Sequence, residues 1–210
     1  MTSADVSPTS SGPTGNSYDK YATGHPLEQR LVGRFLRTLD DLMPARAPSR
    51  VLEVGVGEGE ISARVRARYP SASIVGIDLY DPSLSAEWQA RGHVGAFADV
   101  TRLPFPDDAF DLVLGIEVLE HVADPARALA EVRRVGRDRF VLSVPREPIW
   151  RLANLVRGRY ARELGNTPGH VNHWSTRAFR ALVGDFLEVE TTRTPLPWTV
   201  VSARHRPARS

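Results

Sequence analysis

The sequence predicts an α/β fold built on a doubly wound, mostly parallel sheet, and three observations carry that reading. Short apolar runs alternate with helical patterns from about residue 50 to about residue 145. Ile74-Val75-Gly76-Ile77 and Leu112-Val113-Leu114-Gly115-Ile116 are apolar throughout, as strands covered on both faces must be. Val51-Leu52-Glu53-Val54-Gly55-Val56-Gly57-Glu58-Gly59 runs from apolar residues into a glycine-rich turn, and Asp78 closes the next apolar run. Strand, glycine turn, helix, strand and terminal acid make one nucleoside-binding βαβ unit.

The elements follow in order. Residues 1–17 are mostly Ser, Thr, Pro and Gly and are expected to be a disordered tail, since they hold too little apolar surface to offset ordering entropy. Residues 18–210 are expected to form one domain. Leu27, Leu31, Val32, Phe35, Leu36, Leu39 and Leu42 recur at helical spacing and predict a helix that Pro44 ends. Strands are expected at about 50–54, 73–77, 94–98, 110–115 and 138–144. Helices are expected at about 58–68, 82–90 and 124–135, the last capped by Asp124 with Pro125 in its first turn. A helix at about 175–184 and β-rich stretches at 186–192 and 198–203 complete seven strands. Residues 145–174 leave the carboxyl edge of the sheet, where such folds bind ligands. They hold Trp150, Tyr160, His170, His173 and Trp174, and Ile149, Leu152, Leu155 and Val156 suggest a short helix. This long connection is expected to cover an acceptor pocket; a purely structural elaboration is the alternative.

Composition narrows the function. Of 210 residues, 41% are hydrophobic and 25% charged, which suits one soluble domain with a real core. The absence of cysteine excludes disulfides, thiolate metal sites and a cysteine nucleophile. A formal charge of +2 marks a mildly basic protein rather than a polyanion binder. No apolar run approaches the roughly 20 residues of a membrane span, so a cytoplasmic protein is expected.

The glycine turn says which nucleoside. A dinucleotide fingerprint, Gly-x-Gly-x-x-Gly, would need glycine at position 60; Glu60 stands there, and the glycines are Gly55, Gly57 and Gly59. A diphosphate also wants the bare N-terminus of the next helix. Glu58 and Glu60 occupy that end and would repel a second anion, and Glu53 adds a third carboxylate. A ribose-bearing ligand with positive charge fits, and S-adenosylmethionine, with a sulfonium and an ammonium, is one.

At these residues the chain resembles the class I S-adenosylmethionine-dependent methyltransferases, in their small-molecule, type 11 branch. Glu53-x-Gly55-x-Gly57-x-Gly59 resembles their first motif, and Asp78 their ribose-binding acid. Phe97-Ala98-Asp99-Val100 is similar to the segment whose acid meets the adenine amino group. The run from Leu103 to Val113 and the segment Ile116-Glu117-Val118-Leu119-Glu120-His121-Val122 resemble the stretches flanking the fourth strand. The resemblance implies a Rossmann-like sheet with an antiparallel C-terminal hairpin. It also implies donor contacts from Glu53, Gly55, Gly57, Gly59, Asp78, Leu79, Asp99, Val100 and Glu117, and methyl transfer to a small-molecule acceptor.

Methyl transfer from a sulfonium is mostly a matter of alignment, and a base is needed only where the acceptor must lose a proton. His121 is the candidate base; orienting the loop and the donor is its other reading. Trp150, Tyr160, His170 and His173 are the candidate acceptor contacts. Glu117, Glu120 and His121 with His170 or His173 would also suit a divalent ion, without requiring one. That arrangement resembles the metal site of small-RNA 2′-O-methyltransferases and some ubiquinone-pathway enzymes. An RNA 2′-O-methyltransferase and a non-catalytic donor-binding module are therefore the alternatives to a small-molecule enzyme. Tyr18 and Tyr21 stand where relatives often carry a lid, and Asp107, Asp108 and Asp111 read as turn and strand-edge residues. Without an aromatic-interleaved basic stripe, a nucleic-acid acceptor is disfavoured.

Overall fold

The computed structural model describes residues 26–149 and 170–206. Val32, Phe35 and Leu39 give α1 (Pro26–Leu42) one buried face, and the chain then enters the sheet at β1 (Arg50–Val54). α2 (Glu60–Arg68), β2 (Ser73–Asp78), α3 (Pro82–Arg91) and β3 (Val94–Phe97) follow. β4 (Phe110–Ile116) leads to a short 3-10 turn (Leu119–His121), then to α4 (Pro125–Val135) and β5 (Gly136–Pro145). α5 (Thr176–Phe186), β6 (Glu188–Arg193) and β7 (Trp198–Arg204) close the described chain. The predicted strands form, and so do the predicted helices that fall within the described residues. Asp124 caps α4 by accepting from the Arg127 amide at 2.9 Å, and Pro125 opens it, as the sequence suggests.

The seven strands lie in the order β3-β2-β1-β4-β5-β7-β6. β1 to β5 are parallel, and β7 pairs antiparallel with both β5 and β6. This is the expected mixed sheet with its C-terminal hairpin. Side chains alternate between two cores because successive strand residues face opposite ways. Leu52, Val113, Phe140, Leu142 and Val201 pack under α4 and α5 with Leu129, Val132, Phe179 and Val183. Val51, Leu112, Leu114, Val141 and Val200 pack under α1 and α2 with Phe35, Leu39, Ile61 and Val65. Covering both faces is what makes the strand runs continuously apolar.

Strand order reverses between β1 and β4, which opens a crevice at their carboxyl ends. The loop before β4 is held from α4. Arg134 donates to the carbonyls of Leu103 and Phe105 and to Asp107, and Glu131 accepts from the Leu103 amide at 2.8 Å. Asp111 accepts from the amides of Ser49 and Arg50 and pairs with Arg137. The acids read as turn and strand-edge residues thus serve the scaffold. The tail 1–17, Tyr18, Tyr21, Trp150, Tyr160 and the suggested helix after Ile149 lie outside the described residues.

Candidate active site

The glycine turn after β1 is built from left-handed backbone. Gly55, Gly57 and Gly59 have φ of +68°, +49° and +85°. Two of them also face neighbours that leave no room for a side chain. A Cβ on Gly55 would overlap Val118, and one on Gly59 would overlap the ring of His93. Trp88, from α3, donates its indole N–H to the Gly57 carbonyl at 2.8 Å and packs against Phe97. α3 therefore props the turn through a contact no local motif announces.

Carboxylates line the turn. Glu53 is buried and accepts from the Ser62 hydroxyl of α2. Burial pushes its pKa up to about 8; the Ser62 bonds oppose this, and the charge of Asp78 adds to it. Asp78 accepts from the Gly57 amide at 2.7 Å and the Leu79 amide at 2.8 Å. Burial raises its pKa as well, against those two amides; Asp81 adds to the rise, and His121 opposes it. A cation bound beside these two acids would favour their ionised forms. Leu79 is exposed, and Val100 is buried. Asp99 accepts from the amide and hydroxyl of Thr101, both at 2.8 Å, which fixes its turn.

One inference about the acids needs correcting. Glu58 and Glu60 are not a bare anion barrier at the start of α2. Arg91 pairs with Glu60 and lies 3.9 Å from Glu58 and 3.7 Å from Glu87, so one cation is shared among three acids and offsets part of their charge.

The β4 side is assembled from distant segments. Glu117 has φ +57°, an uncommon conformation for a residue with a side chain. Its amide donates to the Ser143 carbonyl at 3.0 Å, and its Oε1 accepts from the Trp198 indole N–H at 2.8 Å. The returning chain docks on the turn beyond it. The amides of Val171 and Asn172 donate to the Glu120 carbonyl at 2.9 and 3.1 Å, and Asn172 Nδ2 donates to the Val122 carbonyl at 2.6 Å. This sets His170 against His121, with ring centroids 4.8 Å apart and planes at 80°. The ligand atoms of Glu120, His121 and His170 all lie within 4.8 Å of one another. Two members of the grouping inferred from sequence fall outside this cluster: Glu117, which meets Trp198, and His173, which is exposed.

The comparisons decide the family. Residues 52–141 match the family model described as "Methyltransferase domain". Residues 52–141 therefore carry a methyltransferase domain of the class I, type 11 kind. The chain is 37% identical over 144 residues to the demethylmenaquinone methyltransferase of Thermus thermophilus, covering 62% of this chain and 66% of that one. It is 36% identical over 128 residues to a malonyl-[acyl-carrier protein] O-methyltransferase of Geobacter sulfurreducens, covering 58% and 45%. The chain thus spans less than two thirds of these relatives' lengths. The magnesium protoporphyrin IX methyltransferase of Synechocystis, solved with S-adenosylhomocysteine bound, shares the fold at TM-score 0.64 and 15% identity, over 89% of this chain and 91% of that one. The glycine turn, Asp78 and the Glu120–His121 turn all carry a local sequence signal. Ser62, Trp88 and Trp198 carry none, because they reach the site from other elements with no spacing to reveal them. Among the described residues, no helix is long and apolar enough to cross a membrane.

Proposed function

We propose that this methyltransferase transfers the methyl group of S-adenosylmethionine to a small-molecule acceptor, at oxygen. The observation that carries the reading is the place of His121. It lies within electrostatic reach of Asp78, the expected ribose acid, and in ring contact with His170 at the end of the long connection. An imidazole at the border of donor and acceptor can take the proton a hydroxyl must lose. The relatives' names, which specify malonyl-[acyl-carrier protein] and demethylmenaquinone as substrates, support a small acceptor.

When bound, S-adenosylmethionine supplies a methyl group already activated on a sulfonium. Asp78 would accept from the ribose hydroxyls and Asp99 from the adenine amino group, and Glu53, Asp78 and Glu117 would balance the positive charge. Leu79 and Val100 flank the adenine, and His170 borders the acceptor. His121 would hold the acceptor hydroxyl and take up the proton that hydroxyl must lose. An acceptor panel with labelled donor tests the reading. His121→Ala is expected to lower kcat by about 10²–10⁴-fold and leave donor Kd nearly unchanged. An unchanged kcat would remove His121 as base, and donor binding without turnover on any acceptor would indicate a binding module.

The Glu120, His121 and His170 cluster supports a second reading, in which a divalent ion helps acidify the acceptor hydroxyl. One oxygen and two nitrogen ligands suit such an ion. Activity that survives a chelator and does not rise with Mg²⁺ or Mn²⁺ would exclude it.

A further inference from the structure

We infer that Trp198 is a positioning residue for the donor site, acting through Glu117 from the far end of the chain. The inference rests on the donor reading above. In the sheet, β1 lies between β2, which ends in Asp78, and β4, which leads into Glu117. A nucleoside anchored at Asp78 and extended across the β1 turn brings its amino-acid end to β4. There Glu117 is the carboxylate that would meet the donor's ammonium.

Two constraints fix that carboxylate. Its backbone is held in the left-handed region with the amide bonded to Ser143, and its Oε1 is held by the Trp198 indole at 2.8 Å. The indole is itself immobilised. Trp198 is buried, pairs with Pro145 across β5 and β7, and stacks on Phe35 of α1 with centroids 4.6 Å apart. A carboxylate accepts at several lone-pair sites, so the indole bond orients it without saturating it. The C-terminal hairpin therefore does more than finish the sheet: it sets the angle of an acid in the donor crevice. α1 backs the same indole.

The test is a double-mutant cycle read by donor calorimetry and by kcat against KM. Trp198→Phe keeps an aromatic ring against Phe35 while removing the N–H together with part of the indole's volume. Trp198→Phe and Glu117→Gln are each expected to raise donor Kd and donor KM about tenfold, with kcat changed far less. The double variant should bind no more weakly than Glu117→Gln alone. Multiplying effects, or wild-type affinity in Trp198→Phe, would overturn the role. Should Trp198→Phe fail to fold, the assigned indole N–H resonance of Trp198 answers the question in wild type and Glu117→Gln. It should move on donor addition and shift in Glu117→Gln, and a resonance that does neither overturns the proposal. Asp78→Ala separates the two readings. A donor that binds wild type and responds to Asp78→Ala but not to Trp198→Phe refutes Trp198 alone; a donor that wild type ignores refutes both.

Discussion

The two halves of the crevice are built in opposite ways. The β1–β2 half is local: a turn of left-handed glycines, an acid two residues before it, and Asp78 bonded to the Gly57 amide. The β4–β5 half is long-range. Glu117 is fixed by Trp198, and the His121 turn is closed by Val171 and Asn172. The donor is one molecule with fixed demands, which short-range backbone geometry can meet. Acceptors vary, and the part of the β4–β5 half beyond Glu117, assembled from separate segments, can be reshaped while Glu117 and Trp198 continue to serve the donor. The halves touch at Gly55 and Val118, where the turn packs on the segment after β4.

That junction gives the largest expected effect. Gly55→Ala adds a Cβ in the left-handed region, costing about 1–2 kcal/mol, and pushes it into Val118, costing about 1–3 kcal/mol more. A loss of about 3 kcal/mol in denaturant unfolding, with donor binding lost, is expected. Val118→Ala on top should recover the overpacking share and leave the backbone share. If the pair is no more stable than Gly55→Ala alone, the halves do not meet there.

Asp78→Ala comes next and should act on one half only. Losing a charged acceptor costs about 2 kcal/mol, or about 30-fold in donor Kd. Acceptor affinity, measured with S-adenosylhomocysteine saturating, should barely change. Equal losses for donor and acceptor would mean that the halves are not separable.

The same contrast explains what could be read in advance. The βαβ unit announced itself because glycine is the residue that tolerates the turn at Gly55 and Gly59, and because an acid at the end of β2 sits at a fixed place in such a unit. Both-face burial made the strand runs legible. Trp198 gave no signal, because a tryptophan in a β-rich run reads as core, and here it is core as well as hydrogen-bond donor. Arg91 was equally silent: a basic residue ending a helix is ordinary, and only the packing of α3 brings it to Glu58 and Glu60. Choosing His170 over His173 likewise required the fold of the returning chain.

The buried acid of the local half should leave a signature in pH. Glu53 stays protonated in the folded protein up to about pH 8, whereas an unfolded glutamate ionises near its ordinary value of 4.5. Between those values the folded state holds the extra proton, so its contribution to stability is fully present below about pH 4.5 and is lost as pH rises toward 8. A cationic donor favours the ionised form. Calorimetry at pH 7 in buffers of different ionisation enthalpy should show nearly one proton released per donor bound, and none in Glu53→Gln. The same release in Glu53→Gln would assign the proton to another group.

Arg91 offers the smallest effect and the sharpest question about charge. It pairs with Glu60, lies near Glu58 and Glu87, and is itself about one third exposed, so its removal should cost at most about 1 kcal/mol of stability. Arg91→Met would leave the start of α2 acidic, as the sequence alone suggested it was. Donor affinity should then rise about two- to threefold at low salt, and the gain should vanish as salt screens the exposed acids. A gain that survives high salt would mean the acids reach the buried part of the crevice. No gain at all would make Glu58 and Glu60 surface residues with no part in choosing a cation, leaving that choice to Glu53, Asp78 and Glu117.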